Sequence, residues 1–95
     1  AVLFLYEGND MKTLEEVLNT ITSEMGLPDR NYLKKTQEKD LIQFHSNIGR
    51  QIRNTFNLWA GNPELLTDMG LPLGTHADEV SQKIIIALWK KLNDE

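Results

Sequence analysis

The chain has 95 residues, a formal net charge of −4 at pH 7 and no cysteine. This length suits one domain, and a chain without cysteine excludes disulfides and thiolate metal sites and favours the cytoplasm. Because nucleic-acid affinity comes mainly from neutralised phosphates, an acidic chain with scattered cations argues against a nucleic-acid partner. The longest apolar run, residues 1–6, is far too short to cross a bilayer, so we expect no membrane partner.

The first ten residues differ in composition from the rest, because an apolar run precedes Gly8, Asn9 and Asp10. Two interpretations stay open for them. They are either a vector-derived leader ahead of Met11, or an extended arm or strand that needs a partner edge, because an isolated strand is marginal in water. We therefore divide the chain into residues 1–10 and a single helical domain at residues 11–95.

Thr13 and Glu16 have the spacing of a capping box, in which each side chain satisfies a backbone N–H at the start of a helix. A narrow apolar stripe follows them, and Gly26 predicts the end of this first helix. The stripe consists of Leu14, Val17, Leu18, Ile21 and Met25.

A second, shorter helical segment is predicted after Leu27 and Pro28, which we expect to close the first helix. Residues Asp29–Lys35 have enough length for one or two helical turns. We expect this segment to direct Tyr32 and Leu33 into the core.

A long central helix is predicted from Asp40 to Trp59, capped by Thr36 or by Asp40 and stopped by Gly61. At 100° per residue its apolar side chains fall on one arc, as a helix facing a core requires. That arc contains Leu41, Phe44, Ile48, Ile52, Phe56 and Trp59. We expect the rest of the chain to pack around this helix.

One flank of the central helix carries His45, Gly49 and Arg53 at spacings of four residues. An imidazole beside a guanidinium could bind an anion or act on a substrate, and the glycine leaves a gap that a neighbouring backbone could enter. The structural interpretation is favoured, in which the histidine is buried and satisfied. Arg53 then pairs with Asp78 or Glu79.

A short helix is predicted from Pro63 to Met69. Asn62 has the side chain of an N-cap, proline suits the first helical position, and Glu64 suits the positive end of the helix dipole. Gly70 predicts the end of this helix.

The last helix should begin at Thr75 or His76, with Asp78 and Glu79 in its first turn. Its apolar side chains cover about half of the helix circumference, wider than the roughly 100° that a single core contact requires. Either the helix is buried between two neighbours, or part of it contacts another subunit. These apolar residues are Val80, Ile84, Ile85, Ala87, Leu88, Trp89 and Leu92.

Ile85, Ile86 and Trp89 are the candidate partner-interface residues. Ile86 lies about 60° beyond Trp89 around the helix, so a single neighbouring helix cannot cover the whole arc. An uncovered apolar patch usually marks an interface, and two-fold dimers are the commonest symmetric assembly. We expect a homodimer, formed through these residues or through the N-terminal apolar arm, unless residues 1–6 of the same chain fold back over the patch and leave a monomer.

His76, Asp78 and Glu79 superficially suggest a metal cluster. His76 and Asp78 are only two residues apart, whereas metal sites draw three or four ligands at defined distances. We favour the interpretation in which these residues begin a helix, and we expect no metal, no cofactor and no catalytic residue.

The segments FHSNIGRQIRN, LW and HADEVSQKII resemble a family of small bacterial domains of unknown function. Ala77 stands where that family has Pro, and Glu79 where it has a second Asp. The resemblance covers about residues 13–92 and implies a compact helical domain, similar to accessory proteins of bacteria, phages and prophages. The matching positions are Phe44, His45, Gly49, Ile52, Arg53, Asn54, Leu58, Trp59, Gly70, His76, Asp78, Ser81, Ile84 and Ile85.

The sequence therefore predicts an all-α fold, a compact bundle of about four or five helices, with or without an extended N-terminal arm. The favoured function is a non-enzymatic protein-interaction module, a bacterial or phage accessory or inhibitor protein. It would bind a partner protein through the last helix and the adjoining Gly70–His76 loop.

The alternative function is a small ligand-binding or enzymatic domain with a pocket built from His45, Arg53 and His76. Convergence of these side chains in an open cleft would favour the pocket, whereas burial with satisfied partners would favour the interaction module. The full set of ligand-binding candidates is His45, Arg53, Asn54, His76, Asp78 and Glu79.

Overall fold

In the computed structural model of the chain, the described residues are 12–56 and 58–94, with Ala60 described in its backbone alone. Every regular element in them is helical, which confirms the predicted all-α bundle. The proposed leader or arm at residues 1–10 lies outside the described residues. In chain order the elements are α1 (Leu14–Glu24), α2 (Leu27–Lys35), a first 3₁₀ segment (Glu38–Phe44), α3 (Ile48–Thr55), a second 3₁₀ segment (Leu58–Ala60), α4 (Pro63–Asp68) and α5 (Ala77–Asn93).

The start of α1 is the predicted capping box. The Thr13 hydroxyl accepts the Glu16 N–H at 3.1 Å, and the Glu16 carboxylate accepts the Thr13 N–H at 3.1 Å. A second acid helps from outside the helix, because Asp68 in α4 accepts the Leu14 N–H at 2.7 Å. Val17 and Ile21 are fully buried, so the predicted stripe faces the core.

α2 begins at Leu27, where we expected only a break. Proline in a first helical turn is tolerated because that N–H needs no partner inside the helix. Leu33 is buried as predicted, but Tyr32 is 58% exposed, so its predicted burial is wrong. Its hydroxyl instead donates to the Gln43 side chain at 3.1 Å, and its ring meets the edge of Phe44.

The predicted continuous helix from Asp40 to Trp59 is wrong. The chain forms a 3₁₀ segment up to Phe44, a turn at residues 45–47, α3 and a second 3₁₀ segment. The break occurs at Asn47, with φ −115° and ψ −82°, whose side-chain oxygen accepts the Ile48 N–H at 2.6 Å. An asparagine that bonds nearby backbone in this way competes with helix continuation, and it caps α3 in place of Thr36 or Asp40.

The apolar residues of the predicted arc lie in the core on both sides of the break, with the exception of the last one. Its first five members are buried, and Ile52 and Phe56 are fully inaccessible to solvent. Trp59 is 60% exposed, so its predicted place in the core is wrong. In the second 3₁₀ segment, which starts at Leu58, Leu58 is buried whereas Trp59 lies outside.

α5 is the helix around which the described residues pack. It contacts α1, α2, α3 and both 3₁₀ segments, so neighbours on several sides explain its wide apolar surface. Of the two alternatives for the wide apolar surface of the last helix, this arrangement corresponds to burial between neighbouring elements of the same chain. The buried side chains of α5 are Ala77, Val80, Ser81, Ile84, Ile85, Leu88 and Leu92.

The candidate partner interface on α5 is largely occupied inside the chain. Ile85 is fully buried, so its predicted availability to a partner is wrong. Ile86 and Trp89 are partly buried against the core, and the Trp89 indole N–H donates to the Thr36 carbonyl at 2.7 Å. The homodimer stays a prediction, with a candidate surface reduced to the outer parts of Ile86 and Trp89.

α4 follows its prediction closely. It spans Pro63–Asp68, and Gly70 after it has a φ of 73°, a left-handed conformation that glycine adopts without strain. Asn62 occupies the N-cap position but makes no side-chain cap. Its amide donates instead to the Phe56 carbonyl at 2.9 Å, which ties the start of α4 to the end of α3.

Candidate functional site

Arg53 lies in the interior, between α3 and α5, with only 6% of the residue exposed. One guanidinium nitrogen, Nη1, donates to the Ser81 hydroxyl at 2.9 Å and lies 3.4 Å from His45 Nδ1. The other, Nη2, donates to the His45 carbonyl at 3.1 Å. Because arginine can only donate, the Nδ1 contact favours the tautomer with the His45 proton on Nε2.

The predicted ion pair between Arg53 and the start of the last helix is confirmed for Asp78. Arg53 Nε lies 3.4 Å from the Asp78 carboxylate. The contact is ionic and lacks hydrogen-bond geometry, since Nε has no hydrogen-bond partner among the described residues. We call Arg53, His45, Asp78 and Ser81 the Arg53 cluster.

Gly49 creates the space that the guanidinium occupies. A Cβ atom at this position would lie 3.0 Å from Arg53 Nη1 and 3.3 Å from the Phe44 carbonyl oxygen. The gap that we expected beside Gly49 therefore exists, and the Phe44 carbonyl oxygen borders it. The Arg53 side chain of the same helix fills this gap. The spacing of four residues between Gly49 and Arg53 is what aligns the two on one helix face.

Ser81 is the member of the cluster that sequence reasoning missed as a binding residue. It is fully buried, accepts from Arg53, and donates its own proton to the Asp78 carbonyl at 3.0 Å. The available signal was a serine inside the apolar surface of the last helix, three residues after Asp78. A buried hydroxyl needs partners, and Arg53 supplies one.

Trp59 and His76 form a different, exposed group. Their ring centroids are 5.9 Å apart in an edge-to-face arrangement, and the His76 side chain is 66% exposed. The indole N–H donates to the Asn54 side chain at 3.2 Å, and His76 Nδ1 accepts the Asp78 N–H at 3.0 Å. His76 is thus the N-cap of α5, as the helix-start interpretation predicted.

Two shallow clefts flank the turn at Leu73 and Gly74. The first, of about 300 Å³, lies between Trp59 and His76, and the second, of about 310 Å³, is bordered by Leu73. Leu73 itself is 68% exposed. The Thr75 hydroxyl and N–H both donate to the Pro72 carbonyl, so the turn is ordered by its own hydrogen bonds. We call Trp59, Leu73, Thr75, His76 and the two clefts the Trp59–Leu73 surface.

The predicted ligand-binding residues divide between these two regions. His45 and Asp78, both half-buried, contact the buried guanidinium of Arg53, whereas Asn54 and His76 contact Trp59 at the surface. Glu79 is exposed and is not the partner of Arg53. The lining of the first cleft includes His76 but neither His45 nor Arg53, so the three proposed pocket residues do not converge in it.

Within residues 12–56 and 58–94, no three His, Cys, Asp or Glu side chains are grouped so as to hold a metal ion. His76 and Asp78 are close, at 3.8 Å, but the Nδ1 atom of His76 is already used by the helix cap. Among the helices that the structure describes, none has the length and apolarity to cross a membrane.

Comparisons with known proteins agree with the extent of the resemblance noted above. No curated protein and no solved structure matches the chain. The profile of one family, described as Domain of unknown function (DUF6794), matches residues 12–92. Since this match spans most of the 95 residues, the chain belongs to the DUF6794 family.

Proposed function

We propose that this protein is a small non-enzymatic interaction module that binds a partner protein through the Trp59–Leu73 surface. The observation that carries the proposal is the exposure of Trp59 and Leu73, at 60% and 68%, each of which lines one of the two clefts. Tryptophan is enriched among the residues that dominate binding energy at protein interfaces. The sequence predicted a binding surface formed by the last helix and the Gly70–His76 loop. The surface proposed here retains that loop, but its second part is Trp59 and not the outer face of the last helix.

The Trp59–Leu73 surface is preorganised, which reduces the entropy cost of binding. Asn54 holds the indole nitrogen, His76 packs against the ring, and Arg53 Cζ lies 5.9 Å from the ring centroid. The large side chain therefore has support on several sides while most of its surface faces outward. An exposed, supported aromatic side chain favours recognition of another protein over a purely structural role.

The geometry disfavours the alternative, a ligand-binding or catalytic pocket of His45, Arg53 and His76. A guanidinium that binds substrate needs donors directed at open space. Both terminal nitrogens of Arg53 donate to Ser81 and His45, and the residue is 6% exposed. If Arg53 bound a ligand, these hydrogen bonds would break, and the buried Ser81 hydroxyl would lose its donor.

As the wider setting, we propose an accessory or inhibitor protein of a bacterium or phage that acts in the cytoplasm. The resemblance of the Phe44–Asn54 and His76–Ile85 segments to small bacterial domains supports the origin. A sequence without cysteine suits a reducing compartment. An accessory role suits a small chain whose chemically distinctive residues are used internally.

The test is affinity capture from an extract of the source organism, followed by mass spectrometry, with four immobilised proteins. These are the wild type, Trp59→Ala, Leu73→Glu and Leu27→Glu. Leu27 is a matched control, because it is 67% exposed against 68% for Leu73 but lies in α2. We expect a protein captured by the wild type and Leu27→Glu and lost with Trp59→Ala and Leu73→Glu.

Circular dichroism must first show that all four proteins are folded. A captured protein that is equally abundant with all four would place the binding surface elsewhere. Capture that is lost only with Leu27→Glu would move it to α2.

A further inference from the structure

We infer that the Trp59–Leu73 surface recognises a partner segment in which a lysine or arginine lies beside an apolar side chain. This inference rests on the proposed function and specifies the chemistry of the partner. Three features carry it: the charge of the surrounding chain, the availability of particular carboxylates, and the burial of Arg53.

The charge around the surface has a single sign in the local sequence. Residues 58–82 include both clefts and the first turn of α5, and they contain no lysine or arginine. Their only formally charged residues are Glu64, Asp68, Asp78 and Glu79. Opposite charge on a partner would therefore speed encounter and select the correct partner.

The four carboxylates differ in how free they are to pair with a partner. Asp68 accepts the Leu14 N–H, and Glu64 lies 3.8 Å from Lys12 in a solvent-exposed pair that competes only weakly. Asp78 uses one oxygen toward Arg53, yet its side chain is 48% exposed. Glu79 is exposed in the first turn of α5 and pairs with no cation among the described residues.

Arg53 does not convert this surface into an anion site. Its guanidinium is buried, and Asp78 lies 3.4 Å from Nε, so the two charges largely offset each other. Glu79 lies in the first turn of α5, three residues after His76, which lines the first cleft together with Trp59. A cation that pairs with Glu79 would therefore extend from a segment seated in this cleft.

The expected occupant follows from these positions. Its apolar side chain lies against Trp59 and Leu73, where exposed apolar area is removed from water. Its neighbouring cation pairs with Glu79 and with the outer oxygen of Asp78. The long aliphatic stem of a lysine or arginine can cover apolar surface while its charged end reaches a carboxylate.

The experiment is a nuclear magnetic resonance titration of the ¹⁵N-labelled full chain with three acetylated and amidated tetrapeptides. They are Lys-Leu-Lys-Leu, Gln-Leu-Gln-Leu and Glu-Leu-Glu-Leu, which share their apolar residues and differ in charge. We expect the lysine peptide to shift amide signals of Trp59 and of residues 73–79. It should bind roughly threefold more tightly than the glutamine peptide, as a gain from exposed ion pairs allows.

A matched pair of variants tests the role of Glu79. Glu15 and Glu79 are both exposed acids in the first turn of a helix, Glu15 in α1 and Glu79 in α5. Glu79→Lys should abolish the preference for the lysine peptide, whereas Glu15→Lys should retain it. Raising the salt concentration should reduce the preference, because exposed charges are screened.

The outcomes separate the inference from the proposed function. Equal binding of the lysine and glutamine peptides at Trp59 would overturn the charge requirement and leave the interaction surface intact. Tighter binding of the glutamate peptide would reverse the sign of the expected partner. Binding of no peptide, together with a Trp59-dependent protein in the capture experiment, would overturn the lysine-and-leucine chemistry alone.

Discussion

Arg53 and Trp59 are neighbours in space, with Arg53 Cζ at 5.9 Å from the indole centroid, yet they have opposite environments. Arg53, the residue with the most evident chemical character, is 6% exposed, and its terminal nitrogens bond inside the chain. Trp59, which the sequence pattern places in the core, is 60% exposed. In this pair the charged residue is therefore the structural one, and the apolar residue is the accessible one.

The two environments have different energetic consequences. Removing a partner from the Arg53 cluster leaves a buried donor without an acceptor, and the folded state bears that cost. Changing Trp59 or Leu73 removes little that the fold needs, so we expect the loss to appear in binding. The following predictions test this division, beginning with the largest effect.

The largest expected effect is in the core beneath the Arg53 cluster. Ile52→Ala should lower the free energy of unfolding by about 2–5 kcal/mol, because it removes most of a fully buried side chain and leaves a cavity. Ile42→Ala, at a residue that is 63% exposed, should change it by less than about 0.5 kcal/mol. Urea denaturation of both variants measures the difference, and similar midpoints would show that α3 does not face the core.

The second effect concerns the hydroxyl that contacts Arg53. Ser81→Ala should destabilise the protein by about 1–3 kcal/mol, because Arg53 Nη1 loses its 2.9 Å acceptor in a buried position. Ser23→Ala is the control, since that exposed hydroxyl donates only to the Thr20 carbonyl. Thermal unfolding with Ser81→Ala indistinguishable from Ser23→Ala would contradict the structural role of the cluster.

A smaller effect on stability is expected for the exposed region. Trp59→Ala should cost less than about 1 kcal/mol, because the side chain is already mostly in water in the folded state. Partner capture should nevertheless be lost. Calorimetry of Trp59→Ala and Ile52→Ala under the same conditions measures both losses of stability. A loss for Trp59→Ala as large as that for Ile52→Ala would show that Trp59 is a structural residue.

The smallest expected effect is on the pH dependence of stability, through Glu16 in the capping box of α1. The pKa of Glu16 lies below its ordinary value of 4.5, chiefly because its carboxylate accepts the Lys12 N–H, with further lowering by the Thr13 hydroxyl. A depressed pKa in the folded state stabilises the protein above the ordinary value, and this contribution is lost as the pH falls through the folded pKa.

We therefore expect Glu16→Gln to be less stable than the wild type at pH 7 and closer to it in stability at an acidic pH below the folded-state pKa, where the wild-type carboxyl is protonated. Thermal unfolding at the two pH values measures this change. A difference that is the same at both values would show that the charge of Glu16 contributes nothing to the cap.

Sequence reasoning was most successful where a feature depends on a few adjacent residues. The Thr13–Glu16 capping box, the start of α4 at Pro63 and the His76 cap of α5 all appear as predicted. It failed for the continuous central helix because the Asn47 side chain bonds the next residue's N–H and interrupts the helix. An apolar arc gave no sign of this break, since the first five of its six residues are buried on both sides of the interruption.

The site was predictable in part. The Arg53–Asp78 pair follows from chemistry, because a cation on a core-facing flank needs a carboxylate and few were in reach. The role of Ser81 was not predictable, because a serine within the apolar surface of a helix indicates a need for partners but does not identify Arg53 on another helix as the partner. Nor could α-helical periodicity predict the exposure of Trp59, because this residue lies in a 3₁₀ segment and not in a continuous α-helix.

The amino-acid sequence predicted an all-α protein, with helix starts at Thr13, at Pro63 and at Thr75 or His76, because caps and apolar periodicity act over one or two turns. The packing of the helices placed α5 at the centre, left room at Gly49 for a buried guanidinium and put Trp59 outside. These three features depend on which helices pack together and how closely, above all on the packing of α3 against α5. Caps and apolar periodicity carry no information on the distances between helices.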